Sequence, residues 1–174
     1  MKIMVLYDNY TYKPSYKKGW GFACLIDGKV LFDTGEDGNS LISNMEDAGV
    51  RAEALEHLVL SHDHWDHTGG LKAVMDITRG LNVYGCPDFK QDVRAAVEAG
   101  DGCYHELQRL TKISDGVYST GAIEGEHRNA PIEEQSLILH TDEGLSVITG
   151  CAHPGILTIL RRVSDNFPGW SIKA

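Results

Sequence analysis

The stretch SHDHWDHTGG, residues 61–70, follows directly on the apolar run Leu58-Val59-Leu60. Three histidines and two aspartates fall within positions 62–67, at the end of what reads as a buried strand. In an extended segment, residues two apart project to the same side, so His62 and His64 can grip one ion together. Asp66 and His67 come after the chain turns and can reach a neighbouring position. Imidazole nitrogen and carboxylate oxygen suit zinc, and also iron, manganese or nickel, so the ligand types alone do not name the metal. Ordinary histidine usage rarely produces such spacing at a strand end. A merely solvated surface cluster is therefore the poorer reading.

The surrounding chain supplies a scaffold for that strand end. Ile3–Tyr7 reads as a strand. Gly21–Ile26 and Lys29–Phe32 flank Asp27-Gly28, a hairpin signal. Asn9–Lys18, with three tyrosines, reads as a loop. Apolar residues at 41, 42, 45 and 48 predict a helix over Asn39–Ala48, ended by Gly49. A second helix is expected over Thr68–Thr78, a strand over Leu81–Tyr84, and a third helix from Pro87 to Gly100. Residues 101–116 carry no clear period, Val117–Ser119 reads as a short strand, and Gly121–Pro131 reads as a polar loop. Ser136–His140 and Leu145–Thr149 form another hairpin around Asp142-Glu143-Gly144, before a last helix over Pro154–Val163. Strands arrive both in hairpins and singly between helices, which indicates an α+β class with sheets covered by helices.

With 174 residues the chain suffices for a single domain with a real core. Sixteen basic against twenty-five acidic residues give a formal charge of −9. That balance argues against nucleic acid or an anionic membrane as partner, since both favour basic patches. The four cysteines have no C-x-x-C spacing, the N-terminus lacks a signal-peptide pattern, and no apolar run is long enough to span a bilayer. The expected setting is cytoplasmic and the expected partner a small-molecule substrate.

SHDHWDHTGG resembles the H-x-H-x-D-H signature of the metallo-β-lactamase superfamily. LFDTG at 31–35 resembles that family's strand-end aspartate motif, and GCAHPG at 150–155 its later metal-ligand histidine. The SHDHWDHTGGL and ITGCAHPGI runs look most like a subgroup labelled dihydropterin-ribofuranosyl-aminobenzene-phosphate synthases, from which no substrate is carried over. The resemblance implies a four-layer αβ/βα sandwich. It also implies that His62, His64 and His153 bind a first metal, that Asp66 and His67 bind a second, and that Asp33 orients these ligands from behind. The implied cofactor is one or two divalent transition ions, zinc foremost, with iron or manganese as alternatives. The chemistry is hydrolysis of an ester, phosphoester, thioester or amide by metal-activated water, with Asp66 holding the nucleophile and receiving its proton.

Other residues near these motifs have plainer readings. Cys151 reads as a buried small residue, with metal binding the lesser option, and Trp65 as wall packing or, less readily, a surface for a substrate ring. His57, His105 and His140 lack ligand-like companions. His127, in GEHRNAP, is held in reserve, and Arg128 beside it reads as part of a solvated loop pair more readily than as an anion contact.

Family members of this kind continue past the GCAHPG helix into a further strand and a late histidine, whereas this sequence stops at NFPGWSIKA. Residues 1–174 are thus expected to form one domain lacking the C-terminal portion of the family fold. The chain is then a fragment of a longer enzyme, a short form completed by a partner, or a remnant that binds metal with little turnover. An open sheet edge favours a homo-oligomer. A noncatalytic metal-binding protein and, less readily, a diiron oxidoreductase stand as alternatives to the hydrolase.

Overall fold

Short strands that are apolar on both faces dominate the first half of the chain, and in the computed structural model, which describes residues 1–11 and 13–174, they form the middle of a sandwich. β1 (Ile3–Tyr7), β2 (Ala23–Ile26) and β3 (Val30–Phe32) run antiparallel; β4 (His57–Val59), β5 (Asn82–Gly85) and β6 (Cys103–Glu106) then extend the same sheet in parallel. The β2–β3 turn places Asp27 and Gly28 at φ 47° and 74°, the left-handed region that Asp-Gly tolerates. Parallel strands need crossovers, and helices supply them. α1 (Gly38–Asp47) precedes β4, α2 (Trp65–Thr68) and α3 (Leu71–Ile77) precede β5, and α4 (Gln91–Ala99) precedes β6.

The period-two alternation of these strands sorts their side chains into separate cores. Leu25, Leu31 and Leu58 pack with Leu41, Met45, Val74, Met75 and Val97 under the helices. Cys24, Ile26, Val30, Phe32 and Val59 face the other way, onto Ile113, Val117, Leu137 and Leu139 of a second sheet. That sheet holds β7 (Thr111–Ser114), β8 (Val117–Ser119), β11 (Leu137–Thr141) and β12 (Gly144–Ile148) in the order β12-β11-β8-β7. On its outer face Ile138 and Leu145 meet Val163 of α5 (Ile156–Asn166). Helices, sheet, sheet and helix give the four layers. β9 (Ile123–His127) and β10 (Ala130–Glu134) form a separate antiparallel ribbon.

Several expectations need correction. The helix predicted over Thr68–Thr78 begins only at Leu71, and Thr68 instead ends a separate short helix, α2, across the Gly69-Gly70 break. The D-T-G loop passes so close that a side chain on Gly69 would strike the Glu36 carbonyl and one on Gly70 the Thr34 carbonyl. The helix expected from Pro87 begins only at Gln91. The polar loop expected over Gly121–Pro131 contains β9 and the start of β10, turning through Arg128 and Asn129 at φ 51° and 62°. Only Ile123 and Ile132 of this ribbon are buried apolar residues, so hydrophobic patterning cannot reveal it. Residues 101–116, without a legible period, contain the exposed edge strand β6 and also β7. The tyrosine-bearing loop at 9–18 is described except for Tyr12, which lies outside the described residues. After α5, Ile172 bridges Leu145 in parallel, and Lys173 N–H donates to the Leu145 carbonyl at 2.7 Å, so this segment lies along β12.

Candidate metal centre

β3 and β4 are parallel neighbours, so the residues that leave them, Asp33 and Ser61, emerge together at one end of the sheet. Asp33 sits at φ 57° and is fully buried. Its carboxylate accepts from the Ser61 N–H at 2.6 Å, the Ser61 hydroxyl at 2.7 Å and His67 Nδ1 at 2.7 Å. Ser61 Oγ also lies 2.8 Å from His62 Nδ1. One aspartate therefore orients His67 directly and His62 through a serine, the outer-shell arrangement that fixes imidazole ligands.

His62, His64 and His153 converge, each offering a ring nitrogen within 4.8 Å of the others. His62 Nε2 lies 3.0 Å from His64 Nδ1, in keeping with the two-apart spacing of an extended segment. His153 arrives from the turn after β12. There Ala152 adopts φ 56°, a conformation that costs an L-residue roughly 1–2 kcal/mol. Glu134, 1% exposed, holds this turn by accepting from Ala152 N–H at 2.9 Å and His153 N–H at 2.8 Å. Its burial raises its own pKa, against the lowering effect of those two amides.

Burial, and then the neighbouring imidazoles, pushes His62 down to about 2. Burial likewise lowers His64 and His153. Neutral imidazoles carry the lone pairs that a cation needs, and mutual repulsion would expel protons from so close a set. His153 Nε2 is shielded from water yet has no hydrogen-bond partner among the described residues. A buried nitrogen in that condition is costly unless something occupies it. The donor set fits a divalent transition ion.

A second set lies alongside. Ring or sulfur atoms of His62, His67 and Cys151 also fall within 4.8 Å of one another, and Cys151 Sγ is 3.4 Å from His67 Nε2. Burial opposes charge on His67, but hydrogen bonds to Asp33 and Cys151 outweigh it and raise its pKa to about 10, so a cation taken up there displaces a proton from this ring. Asp66 Oδ2 stands 3.8 Å from His67 Nε2, half-buried at the edge of this set. Cys151, expected to be a buried small residue, is exposed at the site. Trp65 is 62% exposed, so wall packing is not its role; Trp20, 64% exposed, precedes Gly21, which packs on the Asp66 carbonyl.

His127 at the end of β9 stands edge-to-face with His64 and His153, ring centroids 4.7 and 5.1 Å away. Sequence spacing could not have placed it there, because β9 and β10 were not legible. Arg128 is exposed at the ribbon tip. His57 and His105 flank Tyr84 on the first sheet, and His140 packs on Trp170, with no tight donor set at either place among the described residues. Ser61 and Glu134 escaped sequence reasoning. The serine had a signal, its place between the strand and the first histidine; the glutamate, in a run of polar residues, had none.

The family model described as the metallo-beta-lactamase superfamily matches residues 23–166, a span from β2 into α5 that takes in every residue of this centre. The 7,8-dihydropterin-6-methyl-4-(beta-D-ribofuranosyl)-aminobenzene-5'-phosphate synthase of Methanocaldococcus jannaschii is 23% identical over 209 residues, covering 93% of this chain and 71% of that protein. A solved metal-dependent hydrolase of the beta-lactamase superfamily aligns with a TM-score of 0.76 at 26% identity, over 98% of this chain and 73% of that one. The short form of human tRNase Z aligns at 0.62 with 16% identity, over 91% and 73% respectively, a likeness of fold.

Proposed function

This chain belongs to the metallo-beta-lactamase superfamily, and from that premise we propose that it is a metal-dependent hydrolase of small-molecule esters, phosphoesters, thioesters or amides. One observation carries the reading above the others. Three imidazoles that burial keeps neutral meet from segments about ninety residues apart, and the buried His153 Nε2 among them lacks a partner among the described residues. His62, His64 and His153 hold the first cation, zinc foremost, while His67 and Asp66 serve a second. When bound, the cations supply Lewis-acid polarisation of a carbonyl or phosphoryl oxygen and a lowered pKa for water.

The protein's own part is positioning and proton handling. Asp33 holds the His67 ring through Nδ1 and leaves Nε2 facing the centre. Through Ser61 the same carboxylate fixes His62. Asp66, partly open to solvent beside His67, accepts the proton that water loses on attack. The name of the solved relative, a metal-dependent hydrolase, agrees with this reading.

Elemental analysis of the purified chain, paired with assays on nitrophenyl esters and phosphodiesters, tests the proposal. Bound divalent transition metal with turnover is expected, and His64→Ala should lose metal and turnover together. A metal-loaded protein inert towards ester, phosphoester, thioester and amide substrates would overturn it.

A further inference from the structure

We infer that Cys151 is a ligand of the second cation, joining His67 and Asp66 and making that position a thiolate site. The inference rests on the metal-centre reading above and adds a donor to it. Its ground is geometric. Cys151 Sγ lies 3.4 Å from His67 Nε2, and it falls with His67 and His62 within the same 4.8 Å span as the three-histidine set; His62 is the ring the two sets share, and Cys151 and His67 are the donors left to the second. The sulfur is exposed at the centre, whereas a merely space-filling cysteine would be expected in the core, as Cys24 and Cys86 are.

The turn that carries it is held in a particular shape. Ala152 lies in the left-handed region, and the buried Glu134 carboxylate takes the amides of both Ala152 and His153. That geometry delivers Cys151 to one donor set and His153 to the other, so a single turn serves both positions. Uptake of a cation releases the thiol proton to solvent and forms the metal–sulfur bond. A thiolate among nitrogen and oxygen donors favours zinc or iron over magnesium or manganese, so the second position would be selective where a carboxylate-only set would not.

Cobalt(II) is the probe, because thiolate coordination gives it an intense near-ultraviolet charge-transfer band. The parent should bind two equivalents and show the band. In Cys151→Ser the band should vanish, and affinity for the second equivalent should fall by more than about 100-fold, beyond the roughly 10–100-fold that losing an outer-shell partner costs. The first equivalent should bind as before. In a Cys103→Ser background, which removes the other exposed thiol, cobalt should protect Cys151 from iodoacetamide. A parent spectrum without the band, an unshielded Cys151, or Cys151→Ser binding two equivalents at parental affinity would each overturn the inference. Turnover on the ester panel separates the two proposals. The band without turnover removes the hydrolase and keeps the ligand; turnover without the band does the reverse.

Discussion

At the start of α1 the Asp37 carboxylate accepts from the N–H groups of Asn39 and Ser40, at 3.2 and 3.3 Å, and from the Ser40 hydroxyl at 2.6 Å. The hydroxyl first, then the two amides, hold its pKa below the ordinary carboxylate value. Because the folded pKa is the lower one, the charged form adds stability above about pH 4, and that gain is lost as pH falls through the depressed value. Asp37→Ala should cost about 1 kcal/mol at neutral pH. Asp37→Asn keeps a cap without the charge, so its deficit against the parent should shrink in acid. Urea unfolding of the three proteins at neutral and acidic pH checks both statements. Glu134 works by a harsher rule. Glu134→Ala leaves two amides of the 152–153 turn unpaired, each at about 1–3 kcal/mol if it stays buried. The prediction is a lowered melting temperature together with weakened binding of the first cation, read by calorimetry and metal titration.

Among the elements, the β9–β10 ribbon contributes most to the site for its size. Gly125 faces the turn after β12 so closely that a Cβ there would lie 2.6 Å from the His153 carbonyl carbon and 2.7 Å from Pro154 N. Gly125→Ala should therefore push ribbon and turn apart, costing roughly 1–3 kcal/mol as overpacking does. It should also displace His127 from its neighbours, visible as shifted imidazole resonances of His64 and His153 in NMR spectra. This element was illegible in the sequence for a physical reason. Its strands gain little from apolar burial, and the Arg128-Asn129 turn lacks the Asn-Gly or Asp-Gly dipeptide that marks tight hairpins. The Asp27-Gly28 hairpin, with apolar residues on both flanks, was legible for the opposite reason. The Gly69-Gly70 break lies between these cases. Both glycines stood in plain view, but the close approach that requires them comes from Thr34 and Glu36, over thirty residues away.

For the whole molecule, layer thickness sets the order of stability. The core beneath α1, α3 and α4 is the broadest, and Leu58 lies within it fully buried. Leu58→Ala should cost about 2–5 kcal/mol in denaturant unfolding. By contrast α5 buries only Ile159 and Val163 and leaves Ile156 and Leu157 exposed. Amides of α5 should exchange with solvent before those of β3 and β4, and hydrogen-exchange mass spectrometry would show it. The same contrast explains which parts of the centre were legible. His62, His64, Asp66 and His67 are neighbours in sequence, so their pattern appears in one line of text. His127 and Glu134 join them only when the sheets stack, and no local period reports that; Cys151 had a weaker local signal, its place two positions before His153.

Asp33, Ser61, His62, His64 and His67 belong to the ends of the first sheet, whereas Cys151 and His153 hang from the second. A cation gripping both groups would thus be a rivet through the sandwich. Its binding to the folded chain alone would add about 2.7 kcal/mol against unfolding when free ion exceeds Kd a hundredfold. Stripping the ion with a chelator should therefore lower one shared melting transition, because the sheets it fastens also share the core between them.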